Sequence, residues 1–415
     1  MKRLRAVVIG GTSETSLHPV PPVADSAPEW NVFRLAEAQS DLDIHVISPC
    51  ETGQLPDLRS FPARGNYHHV VFSRNRLCCY RKCLRHLLPL RLAVRRMARL
   101  PDLMSLWYLR RVIPLVRQLR PDVVIINGRP QYIRYLRRAL PASKLLMFMR
   151  GPIGESRRFL HWLDGIIVNS EGMRRHAREL LGSASIPVWL MPNTLGDEFV
   201  VPDIPADRFT RRPPRLMFAG RIIPEKGVLE LLNAFELVLN KVPDAKLMIY
   251  GASDNYKFNG DLTPYEKAVR ERAARLPTGC VEFRGYVPNR EMGAHYVQVR
   301  LAVFPSICLE SFGMVALEAM RCHTPVVASR RPGFEELILH GKTGLIVDDP
   351  ADATALAAAL LQVLENDQLA SAMGEAAYFR SLDYRPELAA EHLASIVGKS
   401  VRPCSSAIQA LTSAP

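Results

Sequence analysis

Short runs of apolar residues alternate along most of the chain with longer segments in which apolar side chains recur every three or four positions. The short runs are rich in Val, Ile, Leu and Phe and are bounded by Pro, Gly, Asn or charged residues, a pattern typical of buried strands. In the first half, strands are predicted at residues 6–9, 43–48, 68–72, 122–126, 144–149 and 165–168. In the second half, they are predicted at residues 215–218, 246–250, 280–284, 301–304, 325–328 and 344–347.

The longer segments have the period of amphipathic helices. Helices are predicted at residues 29–40, 81–100, 103–119, 171–181, 225–240, 264–276, 314–321 and 351–365. Regular alternation of strand and helix predicts a parallel sheet covered by helices on both faces. Because the alternation stops and restarts once, we expect an α/β protein with two Rossmann-like, doubly wound parallel-sheet domains that face a cleft.

A proline-rich interruption separates the two alternating segments. Residues 196–214 contain four prolines and have little periodicity, as linkers do. We therefore assign residues 1–195 to an N-terminal domain and residues 215–384 to a C-terminal domain. A C-terminal helix is predicted over residues 385–402, followed by a disordered tail over residues 403–415.

The positive charge is concentrated in the first half of the chain. Residues 1–200 contain 30 Lys and Arg against 16 Asp and Glu, a surplus of 14, whereas the remaining residues contain 24 against 25. Residues 74–99 alone have nine basic side chains and no acidic one. A helix with one apolar and one cationic face can lie on an anionic membrane, and a helix that covers the sheet with its arginines outward is an equal alternative.

Neither the cysteines nor the apolar runs indicate secretion or insertion into a membrane. The eight cysteines have no repeated Cys-x-x-Cys spacing, as expected of a reduced protein. The apolar runs are far shorter than the roughly 20 residues of a membrane-spanning helix. We therefore expect a cytoplasmic protein, which is peripheral on the inner face of the cell membrane if the basic segment binds lipid.

The segment 304–320 has the strongest chemical signal. A predicted strand is followed by a loop that contains Glu310 and Gly313, and then by a helix that contains Glu318. The first N–H groups of such a helix, together with its dipole, bind anions. The two carboxylates can accept hydrogen bonds from hydroxyl groups next to that anion. Taken alone, the segment would more simply be a surface loop before an ordinary amphipathic helix.

A second segment, 218–227, has the same succession of strand, glycine turn and helix. Arg221 follows the strand, and Lys226 lies at the start of the predicted helix. Because a helix dipole disfavours cations at the N-terminus, two cations there indicate an anion between them. A guanidinium and an ammonium group are well suited to a pyrophosphate.

Together the two segments resemble the nucleotide-sugar glycosyltransferases of family 4, which have the GT-B fold. That family has a Gly-Arg…Glu-Lys-Gly stretch and a Glu-x-Phe-Gly-x-x-x-x-Glu-Ala motif, and this chain has both in the same order. The resemblance covers residues 165–365 in motifs and the first 165 residues in architecture only.

The resemblance implies a role for each matching residue. Arg221 and Lys226 hold the donor pyrophosphate and stabilise the leaving diphosphate, and Glu310, the third catalytic residue, meets the donor sugar. Glu318 accepts hydrogen bonds from the ribose hydroxyls. The other donor-binding residues of the second half are Tyr286 and Val287 near the base, and Phe312, Gly313, Met314 and Val315, which offer backbone N–H groups to sugar and phosphate.

In the first half, the resemblance implies that Gly10 and Gly11 form a donor-binding loop after the first strand. Arg150 stands at the end of a middle strand, where many family members have a histidine near the donor sugar, and this departure leaves the sugar open. Arg174 lies in a Ser-Glu-x-x-Arg stretch that the family shares. Arg150 and Arg174 are therefore acceptor-binding candidates, although a solvated arginine on a helix explains Arg174 equally well.

We expect a retaining hexosyltransferase that moves a sugar from a nucleotide-sugar donor, UDP-linked rather than GDP-linked, to a hydroxyl of a glycan or lipid-linked acceptor. Such an enzyme would act in cell-surface polysaccharide or lipopolysaccharide biosynthesis. No Asp-x-Asp pair ends a predicted strand, so that neither a metal nor another cofactor is expected.

Other functions are weighed against this one. A small soluble acceptor is the main alternative, and a GT-B-fold nucleotide-sugar epimerase comes second. A nicotinamide oxidoreductase is disfavoured because Gly10-Gly11 lacks the rest of the Gly-x-Gly-x-x-Gly fingerprint. No recognised motif predicts a nucleic-acid partner.

Overall fold

A computed structural model describes residues 3–10, 19–20, 27–38, 40–53, 64–73, 103–200, 213–252 and 262–401. Four features of the sequence lie outside these ranges: Gly11, the basic segment with its predicted helix, most of the predicted linker, and the tail. The described residues form two compact units. The first runs to Asn169, continues through Met173–Pro192 and ends with the last helix, and the second consists mainly of Asn193–Arg385.

The first unit contains a seven-stranded parallel sheet in the order β3-β2-β1-β4-β5-β6-β7. Its strands are β1 (Leu4–Ile9), β2 (Leu42–Glu51), β3 (Asn66–Phe72), β4 (Val123–Asn127), β5 (Lys144–Met149), β6 (Gly165–Val168) and β7 (Val188–Leu190). Its described helices up to residue 192 are α1 (Ala27–Glu37), α2 (Leu103–Leu119), α3 (Ile133–Ala139) and α4 (Glu171–Leu181).

The second unit contains a six-stranded parallel sheet in the order β10-β9-β8-β11-β12-β13. Its strands are β8 (Arg215–Ala219), β9 (Lys246–Tyr250), β10 (Val281–Gly285), β11 (Leu301–Phe304), β12 (Val326–Ser329) and β13 (Gly344–Val347). Its described helices are α5 (Val228–Leu239), α6 (Pro264–Ala273), α7 (Met292–Tyr296), α8 (Met314–Arg321), α9 (Pro332–Leu337), α10 (Ala353–Leu364) and α11 (Asp367–Ser381).

The last helix, α12 (Pro386–Val401), returns to the first unit. Its residues Leu393 and Ile396 pack with α1 against one face of the first sheet, where they meet Val8 and Ile125. The neighbouring strand residues point to the opposite face and pack against α2, α3 and α4. This alternation explains why the central strands are apolar throughout, since both faces of a parallel sheet are covered.

The strand predictions agree with the structure, and the fold class is confirmed as two doubly wound parallel sheets. The short strand β7 and the helices α3, α7, α9 and α11 were not among the predicted elements. Helix α11 buries Ala370, Met373, Gly374 and Ala377, mostly small side chains. Small buried residues produce a weak apolar period, so the pattern of the sequence underestimated this helix.

The prediction of one helix over residues 225–240 is wrong at its start. Residues Pro224–Lys226 form a separate 3₁₀ turn, and α5 begins only at Val228. Between them, Gly227 has a left-handed backbone with φ of 70°, which interrupts the helical path. Lys226 therefore lies in a turn that precedes the helix and not in the helix itself.

Each sheet has one point at which the order of the strands reverses. In the first unit this switch lies between β1 and β4, and in the second between β8 and β11. Ligands of doubly wound sheets bind beyond the carboxyl ends of the strands at such a switch point. Within the described ranges, no helix combines the length and apolarity needed to cross a membrane.

Two glycines test the packing of the fold. A methyl group on Gly344, at the start of β13, would overlap the carbonyl oxygen of Val326 on β12, whereas one on Gly398 in α12 would meet no atom within 4 Å. Gly344→Ala should lower the free energy of unfolding by about 1–3 kcal/mol. Gly398→Ala should raise it by about 0.5–1 kcal/mol because alanine favours the helix. Denaturation of both variants beside the wild type checks this, and shifts of the same sign would contradict the packing.

Candidate active site

The two motif segments lie on adjacent strands at the switch point of the second sheet. Strands β8 and β11 pair in parallel through Leu216 with Leu301 and Met217 with Ala302. The loop after β8 contains Arg221 and Lys226, and the loop after β11 contains Glu310. Because the carboxyl ends of parallel strands share one edge, residues that are about 85 positions apart in sequence meet there.

Backbone contacts join the two loops. The amide of Ile307 donates to the carbonyl of Glu225 at 2.9 Å. At Gly227, any side chain would overlap the carbonyl oxygen of Pro305, and the positive φ makes a substitution strained in any case. The absence of a side chain at this position therefore allows the turn after β8 to lie directly against the loop after β11.

A short ion pair connects the predicted catalytic residues. Lys226 Nζ donates to Glu310 Oε2 at 2.6 Å, and both side chains are less than one quarter exposed. Ser306 Oγ lies 3.5 Å from the same carboxylate oxygen. The family resemblance implies that Lys226 contacts the pyrophosphate and Glu310 the sugar, and the structure shows that the two side chains are in direct contact. Arg221 is exposed to solvent at the end of β8.

The loop that contains Glu310 ends at the N-terminus of α8. Gly313 precedes this helix with φ of 90°, and a methyl group on it would lie 2.6 Å from the Phe334 ring of α9. Phe312 is buried with its ring edge-on to the Tyr384 ring, whereas Met314 and Val315 are half-buried in the first turn. The first N–H groups of a helix have no partner within the helix, so this turn presents donors and the positive end of a dipole to an anion.

Glu318 lies one turn into α8 and is only 6% exposed. Its Oε1 accepts a hydrogen bond from Asn289 Nδ2 at 2.9 Å, and its Oε2 accepts one from the Tyr296 hydroxyl at 3.3 Å. Burial and the neighbouring Glu318 carboxylate raise the pKa of Tyr296 well above its usual range. Two side chains that the sequence did not single out thus hold this carboxylate.

The candidate base-binding residues follow strand β10. Gly285 ends the strand with a positive φ, and Tyr286 comes next with 45% of its surface exposed. Val287 turns inward and packs against the apolar core on the α8 side of the sheet. An exposed aromatic ring at the carboxyl edge of the sheet is available for stacking against a base.

In the first unit, the candidate residues lie on separate elements. Gly10 directly follows β1, and its amide donates to the carbonyl of Ile47 at 2.8 Å. The Arg150 guanidinium follows β5 and lies 4.7 Å from the centre of the Phe148 ring. Burial lowers the pKa of Arg150 to about 10, and Glu29 opposes the shift, so the side chain stays charged at neutral pH. Arg174 is half-buried in the first turns of α4.

Gly128 and Arg129, which the sequence analysis did not single out, lie at the switch point of the first sheet. They follow β4, whose last residues pair alongside the end of β1, and Gly128 has φ of 69°. An Asn-Gly pair directly after a buried strand is a turn signal that the sequence does contain. The Asn-Gly pair alone does not place this turn at the switch point, because that placement depends on the pairing of β4 with β1.

The described residues include no cluster of three or more His, Cys, Asp or Glu side chains arranged to hold a metal ion. The charged groups at the switch point of the second sheet include Arg221, Lys226 and Glu310, with the N-terminus of α8 beside them. Such a set can bind a phosphate and stabilise negative charge that develops on it.

Comparisons with known proteins identify relatives of the chain. The profile of the family Glycosyl transferases group 1 matches residues 203–380. The chain is 25% identical over 358 residues to a lipopolysaccharide 1,2-N-acetylglucosaminetransferase of Salmonella typhimurium, which covers 82% of this chain and 85% of that protein. It is 30% identical over 208 residues to a GDP-mannose-dependent alpha-(1-6)-phosphatidylinositol monomannoside mannosyltransferase of Mycolicibacterium smegmatis. That match covers 45% of this chain and 52% of the relative, about half of each protein.

A solved structure shows the same fold over nearly the whole chain. The Anabaena protein Alr3699/HepE in complex with UDP-glucose superimposes with a TM-score of 0.68 and 15% identity, over 95% of this chain and 99% of that one. Fold, motifs and relatives together define the chain as a glycosyltransferase with the GT-B fold. Within that class, the match of residues 203–380 to the group 1 glycosyl transferases and the relatives named as glycosyltransferases support an enzyme of the family 4 type.

Removal of either cation should weaken the binding of a nucleoside diphosphate. Arg221→Ala and Lys226→Ala should each reduce affinity about tenfold or more, because each removes a charge-assisted contact of about 1.5–3 kcal/mol. Lys226→Ala also leaves the Glu310 carboxylate facing the anion, so the double variant Lys226→Ala/Glu310→Gln should bind better than Lys226→Ala alone. Titration calorimetry with UDP and GDP measures these affinities.

The matched control is Lys246→Ala. Lys246 starts β9 at the opposite edge of the same sheet, where its Nζ lies 3.7 Å from Glu282, and its loss should leave the affinity unchanged. If Lys226→Ala binds the diphosphates as tightly as the wild type does, the assignment of the phosphate site is wrong.

Proposed function

We propose that the chain transfers a sugar from a nucleotide-sugar donor to a hydroxyl group of a glycan or lipid-linked acceptor, with retention of the anomeric configuration. The observation that carries the proposal is the convergence of Arg221, the Lys226–Glu310 pair and the N-terminus of α8 at one switch point. These groups suit a nucleoside diphosphate that gains charge as it leaves.

In the proposed reaction, the bond between the anomeric carbon and the phosphate oxygen breaks, and its electron pair goes to the diphosphate. Arg221, Lys226 and the first N–H groups of α8 stabilise that charge. The acceptor oxygen bonds to the anomeric carbon on the same face, and its proton goes to the leaving phosphate oxygen. Glu310 is paired with Lys226, which supports a role in orienting the donor and not in forming a covalent sugar intermediate.

We further propose a UDP-linked donor. The structural neighbour with UDP-glucose has the same fold over nearly its whole length, although the mycobacterial relative is named as GDP-mannose-dependent. The exposed Tyr286 ring offers a stacking surface that either base can use. The residues at hand therefore support a nucleotide donor more strongly than they support a particular base.

For the acceptor, we propose a lipid-linked or surface glycan built at a membrane. The relative that covers most of the chain is named for lipopolysaccharide, and the mycobacterial one is named for a phosphatidylinositol mannoside. The surplus of 14 positive charges in residues 1–200 would favour an anionic lipid surface or a phosphate-bearing acceptor. Arg150 and Arg174 are the candidate contacts to such a phosphate in the described part of the first unit.

A panel of nucleotide sugars tests the donor. We expect one UDP-sugar to raise the melting temperature and to be consumed in a turnover assay, because a ligand that binds the native state stabilises it by mass action.

Turnover should survive excess EDTA, since the proposed stabilisation of charge uses side chains and a helix. NMR of the product should show the anomeric configuration of the donor. Inverted product, or a loss of activity that manganese or magnesium restores, would overturn the mechanism.

Binding to liposomes tests the acceptor surface. The wild-type protein should sediment with anionic vesicles at low salt and detach as salt rises, because the attraction is screened within a Debye length of about 10 Å at 0.1 M. Reversal of Arg91, Arg95, Arg96 and Arg99 to Glu should abolish sedimentation and leave nucleotide affinity unchanged. If the wild-type protein does not sediment with anionic vesicles even at low ionic strength, a small soluble acceptor is the better assignment.

A further inference from the structure

The Glu318 carboxylate accepts a side-chain hydrogen bond on each of its oxygens. Asn289 Nδ2 donates to Oε1 at 2.9 Å and the Tyr296 hydroxyl donates to Oε2 at 3.3 Å. A carboxylate has two oxygens that each accept from more than one direction, and two donors on different oxygens fix its rotation about the last side-chain bond. The orientation of Glu318 is therefore set by its neighbours.

Both donors are anchored to the rest of the second unit. Tyr296 is wholly buried at the end of α7, and its backbone carbonyl accepts a hydrogen bond from Thr324 Oγ1 at 2.8 Å. Asn289 begins the 3₁₀ turn Asn289–Glu291 that connects β10 to α7. The Tyr296 phenol remains protonated because burial and Glu318 raise its pKa, so it acts as a donor at every pH at which the protein would be assayed.

Burial makes these two hydrogen bonds necessary for the carboxylate. A buried charge is stable only where it is paired or hydrogen-bonded, and Glu318 is 6% exposed. Removal of one donor would free the carboxylate to rotate or to draw in water. Such a change alters what Glu318 can bind without altering the phosphate contacts of Arg221 and Lys226.

We infer that Tyr296 and Asn289 are positioning residues that aim the Glu318 carboxylate at the ribose hydroxyls of the donor and thereby make the site select ribonucleotides over deoxyribonucleotides. The inference rests on the proposed function, in which Glu318 contacts the ribose. It adds that the preference for ribose over deoxyribose in the bound nucleotide depends on Tyr296 and Asn289, which act through Glu318.

The test compares the affinities for ribonucleotides and deoxyribonucleotides and does not rely on enzymatic activity. Calorimetry with UDP and 2′-deoxy-UDP, and with GDP and 2′-deoxy-GDP, should show that the wild type prefers the ribose form about tenfold or more, as expected where a site is built to hydrogen-bond a hydroxyl. Tyr296→Phe and Asn289→Ala should each reduce the ratio of the two affinities to about threefold or less, mainly through weaker binding of the ribose form. The reason is that a hydrogen bond from a ribose hydroxyl to a well-oriented carboxylate raises the affinity about tenfold or more. Glu318→Gln sets the lower limit of the ratio.

Tyr132→Phe is the matched control. Tyr132 is also wholly buried and also donates through its hydroxyl at 3.3 Å, to Ser105 in the first unit. This variant should lose similar stability but keep the wild-type ratio. If Tyr296→Phe does not fold, Asn289→Ala tests the same point, because Asn289 is only half-buried in a turn.

The outcomes separate the inference from the function on which it rests. If Tyr296→Phe and Asn289→Ala keep the wild-type ratio, or weaken both nucleotides equally, the positioning role is refuted while the donor site stands. The same holds if the wild type binds UDP or GDP without distinguishing the deoxy form. If the wild type binds no nucleoside diphosphate at all, the proposed function fails and the inference fails with it.

Discussion

The close approach of two backbone loops at the edge of the second sheet is the constraint on which the candidate site depends. Strands β8 and β11 lie side by side, and their following loops can touch only because residue 227 has no side chain. That contact brings Lys226 within 2.6 Å of Glu310 and directs the loop after β11 into the N-terminus of α8. A bulkier residue at this one position would separate the cation from the carboxylate and from the helix that together face the proposed diphosphate.

The electrostatics of the site follow from this geometry. A lysine and a glutamate at a partly buried position neutralise each other while no ligand is bound, and each holds the other in place. The remaining positive potential comes from Arg221 and from the first turn of α8, so the proposed diphosphate would meet donors that are already oriented. One turn further along α8, Glu318 is held by neighbours from a different segment. Helix α8 thus connects the proposed phosphate end of the site to the proposed ribose end.

The second unit resembles known glycosyltransferases in its sequence motifs, whereas the first unit resembles known structures mainly in its architecture. The family profile matches residues 203–380, which lie mostly in the second unit, and the candidate site residues of that unit lie in short sequence motifs. The first unit is related to known structures by architecture, with a seven-stranded sheet and a final helix that returns from the end of the chain. Its positive charge distinguishes it more clearly than any motif does. Donor chemistry requires specific groups at specific backbone positions, whereas a surface that attracts an extended anion can distribute its arginines in many ways.

The sequence by itself determined the alternation of strands and helices, because apolar period and turn residues act within a few positions of one another. Strand β5 at Lys144–Met149 and strand β11 at Leu301–Phe304 have the predicted bounds, and the motif glutamates and cations were singled out as candidates because they follow predicted strands. Only the tertiary structure decided which of these side chains meet. The contact of Lys226 with Glu310 joins residues 84 positions apart. The hydrogen bonds of Asn289 and Tyr296 to Glu318 connect the turn before α7, the end of α7 and helix α8. Such contacts depend on the order of strands in the sheet, and that order is set by the packing of the whole unit and leaves no local pattern in the chain.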